Sequence, residues 1–186
     1  MNLKLIIVGF ILLGQPVFGQ RKNTGNCKIE IYLLNKRING IDSIYKMSGE
    51  FKVTKEDLQD TPFIKNSEII SYTIRKFKEK KRKIEHHHIL LSSSVNEKIK
   101  ALGEISLCCG LKYALVVNDS IAYGGYFWNP ISSWGANAII SYLHPGNLSF
   151  VYMYKKKNKK DPRYNVKLME CLKKSQRLVL SHSADK

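Results

Sequence analysis

Residues 92–127 read SSSVNEKIKALGEISLCCGLKYALVVNDSIAYGGYF, and this stretch decides the fold class. Ser94 followed by Glu97 has the spacing of a capping box, in which hydroxyl and carboxylate each satisfy an early backbone N–H. Val95, Ile99, Leu102, Ile105 and Cys109 then recur at steps of three and four, which is one stripe of a helix. Gly110 supplies the left-handed residue at which helices end. Residues 111–117 are apolar and β-branched, suited to a buried strand. Asn118-Asp119-Ser120 is turn chemistry, because Asn and Asp tolerate positive φ, and 121–127 returns as a second strand.

On those residues the segment resembles the helix–hairpin part of the periplasmic head of SecD, the accessory protein of the Sec translocase. The comparable pieces here are the capped helix 94–110, the strand 111–119 and the return strand 121–131. The resemblance implies a shared fold element and no translocase role, since the six membrane spans of that family have no counterpart here. The run Tyr123-Gly124-Gly125-Tyr126-Phe127-Trp128 with Ser132-Ser133 also resembles a stretch in small exported bacterial proteins, which implies no activity.

Outward from this unit, residues 27–34 (CKIEIYLL) alternate as a half-buried strand does. Residues 35–49 are irregular, with Asn39-Gly40 a turn signal, and Thr54 with Asp57 marks a short helical turn. Residues 68–77 and 84–91 are β-rich and flank KEKKRK at 78–83, the charged tip of a hairpin. Residues 137–143 and 148–154 flank His144-Pro145-Gly146-Asn147, where Pro-Gly suits a type II turn. Asp161-Pro162 opens a helix whose stripe is Tyr164, Leu168, Cys171, Leu172 and Val179. Tight turns between most strands predict an α+β domain. Its sheet is expected to be mainly antiparallel, with two main helices, 94–109 and 162–180, packed on it.

The first 19 residues have the form of a secretory signal: Lys4, an apolar run 5–13, and Val17 and Gly19 before a cut at Gln20. The apolar run is shorter than a membrane helix needs, and no later run reaches that length. The expectation is one exported domain over 20–186, periplasmic or extracellular. The chain carries 31 Lys and Arg against 15 Asp and Glu, a net charge of +16, which implies attraction to anionic polymers or surfaces. Export permits disulfides among Cys27, Cys108, Cys109 and Cys171. A Cys108–Cys109 bridge would strain the chain locally. The favoured pairing is therefore Cys27 or Cys171 with one of the adjacent pair, against four buried thiols acting as small hydrophobes.

Three places invite function, each with a plainer reading. In a strand, His86 and His88 point to one face and His87 to the other. Two imidazoles at that spacing suit Zn²⁺ or Cu²⁺ given further ligands, or are simply a polar face. Tyr123, Tyr126, Trp128 and Trp134 are amphipathic anchors for a partner protein or ligand, or fill the space beneath the sheet. Lys80, Lys81, Arg82 and Lys83 with Lys155, Lys156 and Lys157 form basic tips that hold anionic polymers or envelope surfaces, or are solvated lysines that blunt sheet edges. The chain has no G-x-S-x-G, no H-E-x-x-H, no Walker loop and no paired carboxylates. The function expected is non-catalytic binding through the aromatic loop 123–134. The alternatives are adhesion to polyanions and metal binding at His86 and His88.

Overall fold

The computed structural model describes residues 27–35, 52–79, 82–105, 107, 110–132, 138–152 and 160–182. The expected signal segment, the irregular residues 36–49, Cys108 and Cys109 lie outside them. In chain order the elements are β1 (Ile29–Leu33), β2 (Ile69–Glu79), β3 (Arg82–Leu91), α1 (Val95–Ala101), β4 (Leu111–Val117), β5 (Ser120–Phe127), β6 (Ile139–His144), β7 (Asn147–Tyr152), α2 (Val166–Lys174) and β8 (Leu178–His182). The eight strands make one sheet in the order β1-β4-β5-β6-β7-β3-β2-β8.

This corrects the expected class. The protein is mostly β, and its sheet is mixed: β5 runs parallel to β6, and β2 parallel to β8. Both helices are short. The first stops at Ala101 because Gly103 already takes positive φ (68°), so Ile105 and Cys109 lie beyond it. Its capping box does not form; Ser94 Oγ donates to Glu68 and Glu97 pairs with Lys100. What holds α1 down is Lys98, whose ammonium donates to the Glu68 carboxylate (2.8 Å) and to the Phe63 carbonyl (3.0 Å). The second helix stops at Lys174, Gln176 turns with φ 55°, and Val179 sits on a strand rather than a helical stripe.

Hairpin chemistry reads out as expected where strands meet through tight turns. Asn118 and Asp119 both take positive φ (46° and 60°) between β4 and β5. Pro145 and Gly146 (φ 72°) join β6 to β7. The inner face buries Ile29, Ile31, Tyr72, Ile89, Tyr113, Leu115, Phe127 and Phe150, with Val95 from α1 and Leu168 and Leu172 from α2. Tyr113 stacks on Phe127 (4.5 Å between centroids) and shares a hydrogen bond with Ser141.

The sheet is curled, and its two edge strands are tied through flanking residues rather than by pairing with each other. Segment 58–64 bridges to β1 at Leu34–Leu58 and Ile31–Ile64, covering its free edge. Cys27, just before β1, is bonded to Cys171 of α2, with their Cα atoms 5.2 Å apart. This replaces the expected pairing with Cys108 or Cys109, because α2 turns Cys171 inward beside Leu172 and Leu168. Arg177, just before β8, donates to the Cys27 carbonyl and to Asn66. A guanidinium and a disulfide thus tie together the two ends of the strand order.

Gly110 tests how tightly the β4–β5 hairpin is seated. Its φ is +59°, and an added Cβ would lie 2.6 Å from the Trp128 ring and 2.8 Å from the Phe127 carbonyl. Gly103 has a similar φ but open space around it. Gly110→Ala should cost about 2–4 kcal/mol and Gly103→Ala about 1–2. Urea unfolding of both variants reads the clash as the difference; equal losses would mean that Trp128 yields.

Candidate functional site

The β2–β3 hairpin is the longest element of the sheet, because eleven residues from Ile69 pair with ten ending at Leu91. β8 flanks it along Tyr72–Lys76 and β7 along His87–Leu90. Beyond Lys76 on one strand and before His87 on the other, the two strands pair only with each other among the described residues. Phe77 lies opposite Ile84, Lys78 opposite Lys83 and Glu79 opposite Arg82. Among the described residues the ribbon therefore extends past its flanking strands, and its sequence there is basic. Of the predicted anion-binding residues, Arg82 and Lys83 lie on this ribbon. Lys80, Lys81, Lys155, Lys156 and Lys157 fall outside the described residues.

At the ribbon's root, alternation along β3 sends His87 and Ile89 into the core and His86, His88 and Leu90 to the other face. The His86 and His88 rings stand 5.9 Å apart. His88 Nδ1 shares a hydrogen bond with Ser149 (3.0 Å), and Arg75 lies opposite His86 in register. Burial lowers the pKa of both imidazoles; Arg163 lowers His86 further, and His86 and Arg75 lower His88 further. Among the described residues no three His, Cys, Asp or Glu side chains are grouped to hold a metal ion, and Arg75 beside the pair opposes a cation. The sequence signal for Arg75 is its place on β2, two residues from Thr73 and opposite His86.

Beneath the ribbon lies a polar cluster that sequence reading did not reach. Arg163 is 1% exposed. Its guanidinium meets both oxygens of Asp161 (2.7–3.2 Å) and donates to the Glu85 and Phe150 carbonyls. Tyr72 and His87 Nδ1 share a 2.8 Å hydrogen bond, and Tyr164 donates to Glu85. Burial pushes the hydroxyls of Tyr72, Tyr113 and Tyr123 far above the ordinary tyrosine range, and that of Tyr164 to about 12. Arg163, Asp161, Tyr72, His87, Tyr164 and Glu85 bond to one another and to two backbone carbonyls, while the buried Tyr123 hydroxyl has no hydrogen-bond partner among the described residues.

The aromatic loop residues are placed otherwise than a binding surface requires. Tyr123 is 6%, Tyr126 2% and Trp128 3% exposed. Tyr126 and Trp128 meet edge to face at 6.0 Å and pack with Ala138 and Ile140. Burial pushes the Tyr126 hydroxyl up to about 12. Trp134 lies outside the described residues. Gly125 allows Tyr113 to approach, since a Cβ there would lie 2.5 Å from its hydroxyl.

No protein-family model matches the chain, and no curated protein matches it. Among solved structures, the crystal structure of SecDF in super-membrane-facing form is similar with a TM-score of 0.40 and 10% sequence identity, over 80% of this chain and 19% of that one. The chain thus spans about a fifth of the SecDF chain, and the likeness is a weak one of fold. No helix among the described residues is long and apolar enough to cross a membrane.

Proposed function

We propose that this protein is an exported, non-catalytic module that holds anionic polymers on its β2–β3 ribbon. The observation that carries the reading is the ribbon itself: a paired, basic extension that, among the described residues, runs past the strands on both sides. A net charge of +16 supplies the long-range attraction. Export is supported by the signal-like first 19 residues and by the Cys27–Cys171 bridge, which an oxidising compartment preserves. A partner site built on Tyr123, Tyr126 and Trp128 is less supported, because these rings are spent on packing.

Labelled long-chain polyphosphate, titrated at several salt concentrations and read by fluorescence anisotropy, tests the proposal. Binding should weaken steeply with salt. Replacing Lys80, Lys81, Arg82 and Lys83 together with alanine should lower the slope of log K against log salt by roughly 3, from four lost contacts at about 0.7–0.9 each. An unchanged slope, or no binding at low salt, overturns the ribbon as the polymer site.

A further inference from the structure

The outer face of the sheet at the root of the ribbon carries a cluster that neither charge counting nor the ribbon explains. Cross-strand register places Arg75 beside His86 and Thr73 beside His88 on β2 and β3. β7 adds Ser149 next to His88, and β8 adds Val179 next to Thr73 and Ser181 next to Arg75. Directly opposed residues share a face. Three nitrogen-bearing cations or incipient cations therefore sit together, with hydroxyls around them; the carboxylate residue that alternation assigns to the same face of β2, Glu79, stands two same-face pairs further along the ribbon, opposite Arg82. The nearest carboxylate in sequence, Glu85, is on the other face, engaged by Tyr164 and Lys76. Asp161 is inside, held by Arg163.

We infer that Arg75, His86 and His88 form an oxyanion site that seats a phosphate or sulfate group of the bound polymer once the imidazoles take up protons. This rests on the polymer-binding reading of the ribbon and adds its regulation. Arg75 supplies a permanent charge with a fork matched to tetrahedral oxyanions. The two imidazoles are half-buried, and cationic charge acts on each: Arg163 from beneath the sheet on His86, and His86 and Arg75 on His88. β7 and β8 contribute no charged group to this face among the described residues. Without an anion, the cluster resists protonation. A bound oxyanion reverses that balance by favouring the charged imidazoles, so binding takes up protons and strengthens as pH falls.

Two measurements test this. Polyphosphate affinity at fixed salt should rise at least tenfold between about pH 7.5 and about pH 5.5, with the salt slope steepening by about 1.5 from two added cations. His86→Gln with His88→Gln should abolish that rise, whereas His144→Gln should leave it unchanged. NMR titration of the histidine Cε1–H signals, with and without inorganic sulfate, should show both pKa values moving up with the anion. Binding that is strong but unaffected by pH or by the double variant overturns the oxyanion site and leaves the ribbon reading standing. If polyphosphate does not bind while sulfate still raises both pKa values, the ribbon reading falls and the site remains as a small-anion site. Histidine pKa values indifferent to sulfate overturn it outright.

Discussion

Asp161→Ala should cost about 3–5 kcal/mol of folding stability. Asp161 is the only carboxylate ion-paired with the Arg163 guanidinium among the described residues, and the two side chains are 10% and 2% exposed. Removing it strands a buried cation whose other partners are neutral carbonyls of Glu85 and Phe150. Changing both residues, Asp161→Leu with Arg163→Met, should lose less than the two single losses added, since no charge is then left buried. Urea unfolding of Asp161→Leu, Arg163→Met and the double variant reads the coupling. A loss below about 1 kcal/mol for Asp161→Ala would mean that water reaches the pair.

The same pair sets an acid limit. Burial pushes the Asp161 carboxyl up, but hydrogen bonds and charge from Arg163 outweigh it and hold the pKa below its ordinary value. A carboxyl depressed in the folded state contributes stability that is fully present above its unfolded pKa, about 3.9, and lost as pH falls through the folded value. The gap between the native protein and Asp161→Ala should therefore be widest near neutral pH and narrow below about pH 4.

Breaking the Cys27–Cys171 bridge should have a comparable effect. The two cysteines are 144 residues apart. Closing so long a loop restricts the unfolded chain by about 5 kcal/mol on the chain-entropy account, and removing native bridges from secreted domains costs about 2–5. The urea midpoint of the native protein should fall sharply with dithiothreitol, and the Cys27→Ala, Cys171→Ala double variant should start low and ignore the reductant. A native midpoint that ignores the reductant would mean that no bridge forms. Arg177 keeps its hold on the Cys27 carbonyl and Asn66 in either case, so the loss should fall short of complete unfolding.

Local chemistry was legible and long-range pairing was not. Asn118-Asp119 and Pro145-Gly146 announce their turns because each satisfies a φ requirement on its own. The β4–β5 and β6–β7 hairpins follow from such signals. The parallel pairs β5–β6 and β2–β8 have none, since nothing in residues 178–182 names a partner more than a hundred residues earlier. Leu178, Val179 and Leu180 are too few to declare a strand, and Val179 also fits the helical spacing from Leu172. Gly103 was outvoted by Ile105 and Cys109, although a glycine inside a helical stripe is also a stop signal. For the site, the alternation of His86, His87 and His88 was readable and is seen. Arg163 was not, because after Asp161-Pro162 it reads as an ordinary first-turn residue, and only the fold turns it inward.

The ends of the strand order are closed late. β1 is the earliest of the described strands to be synthesised, yet its clasp needs Cys171 and Arg177, and β2 gains its outer neighbour only with residues 178–182. A nascent chain therefore cannot lock itself shut until nearly all the described residues have emerged. Cys108 and Cys109 also precede Cys171 in the chain, so two other thiols are made before the mate of Cys27. That order leaves thiol shuffling open as a step in the folding of this sequence.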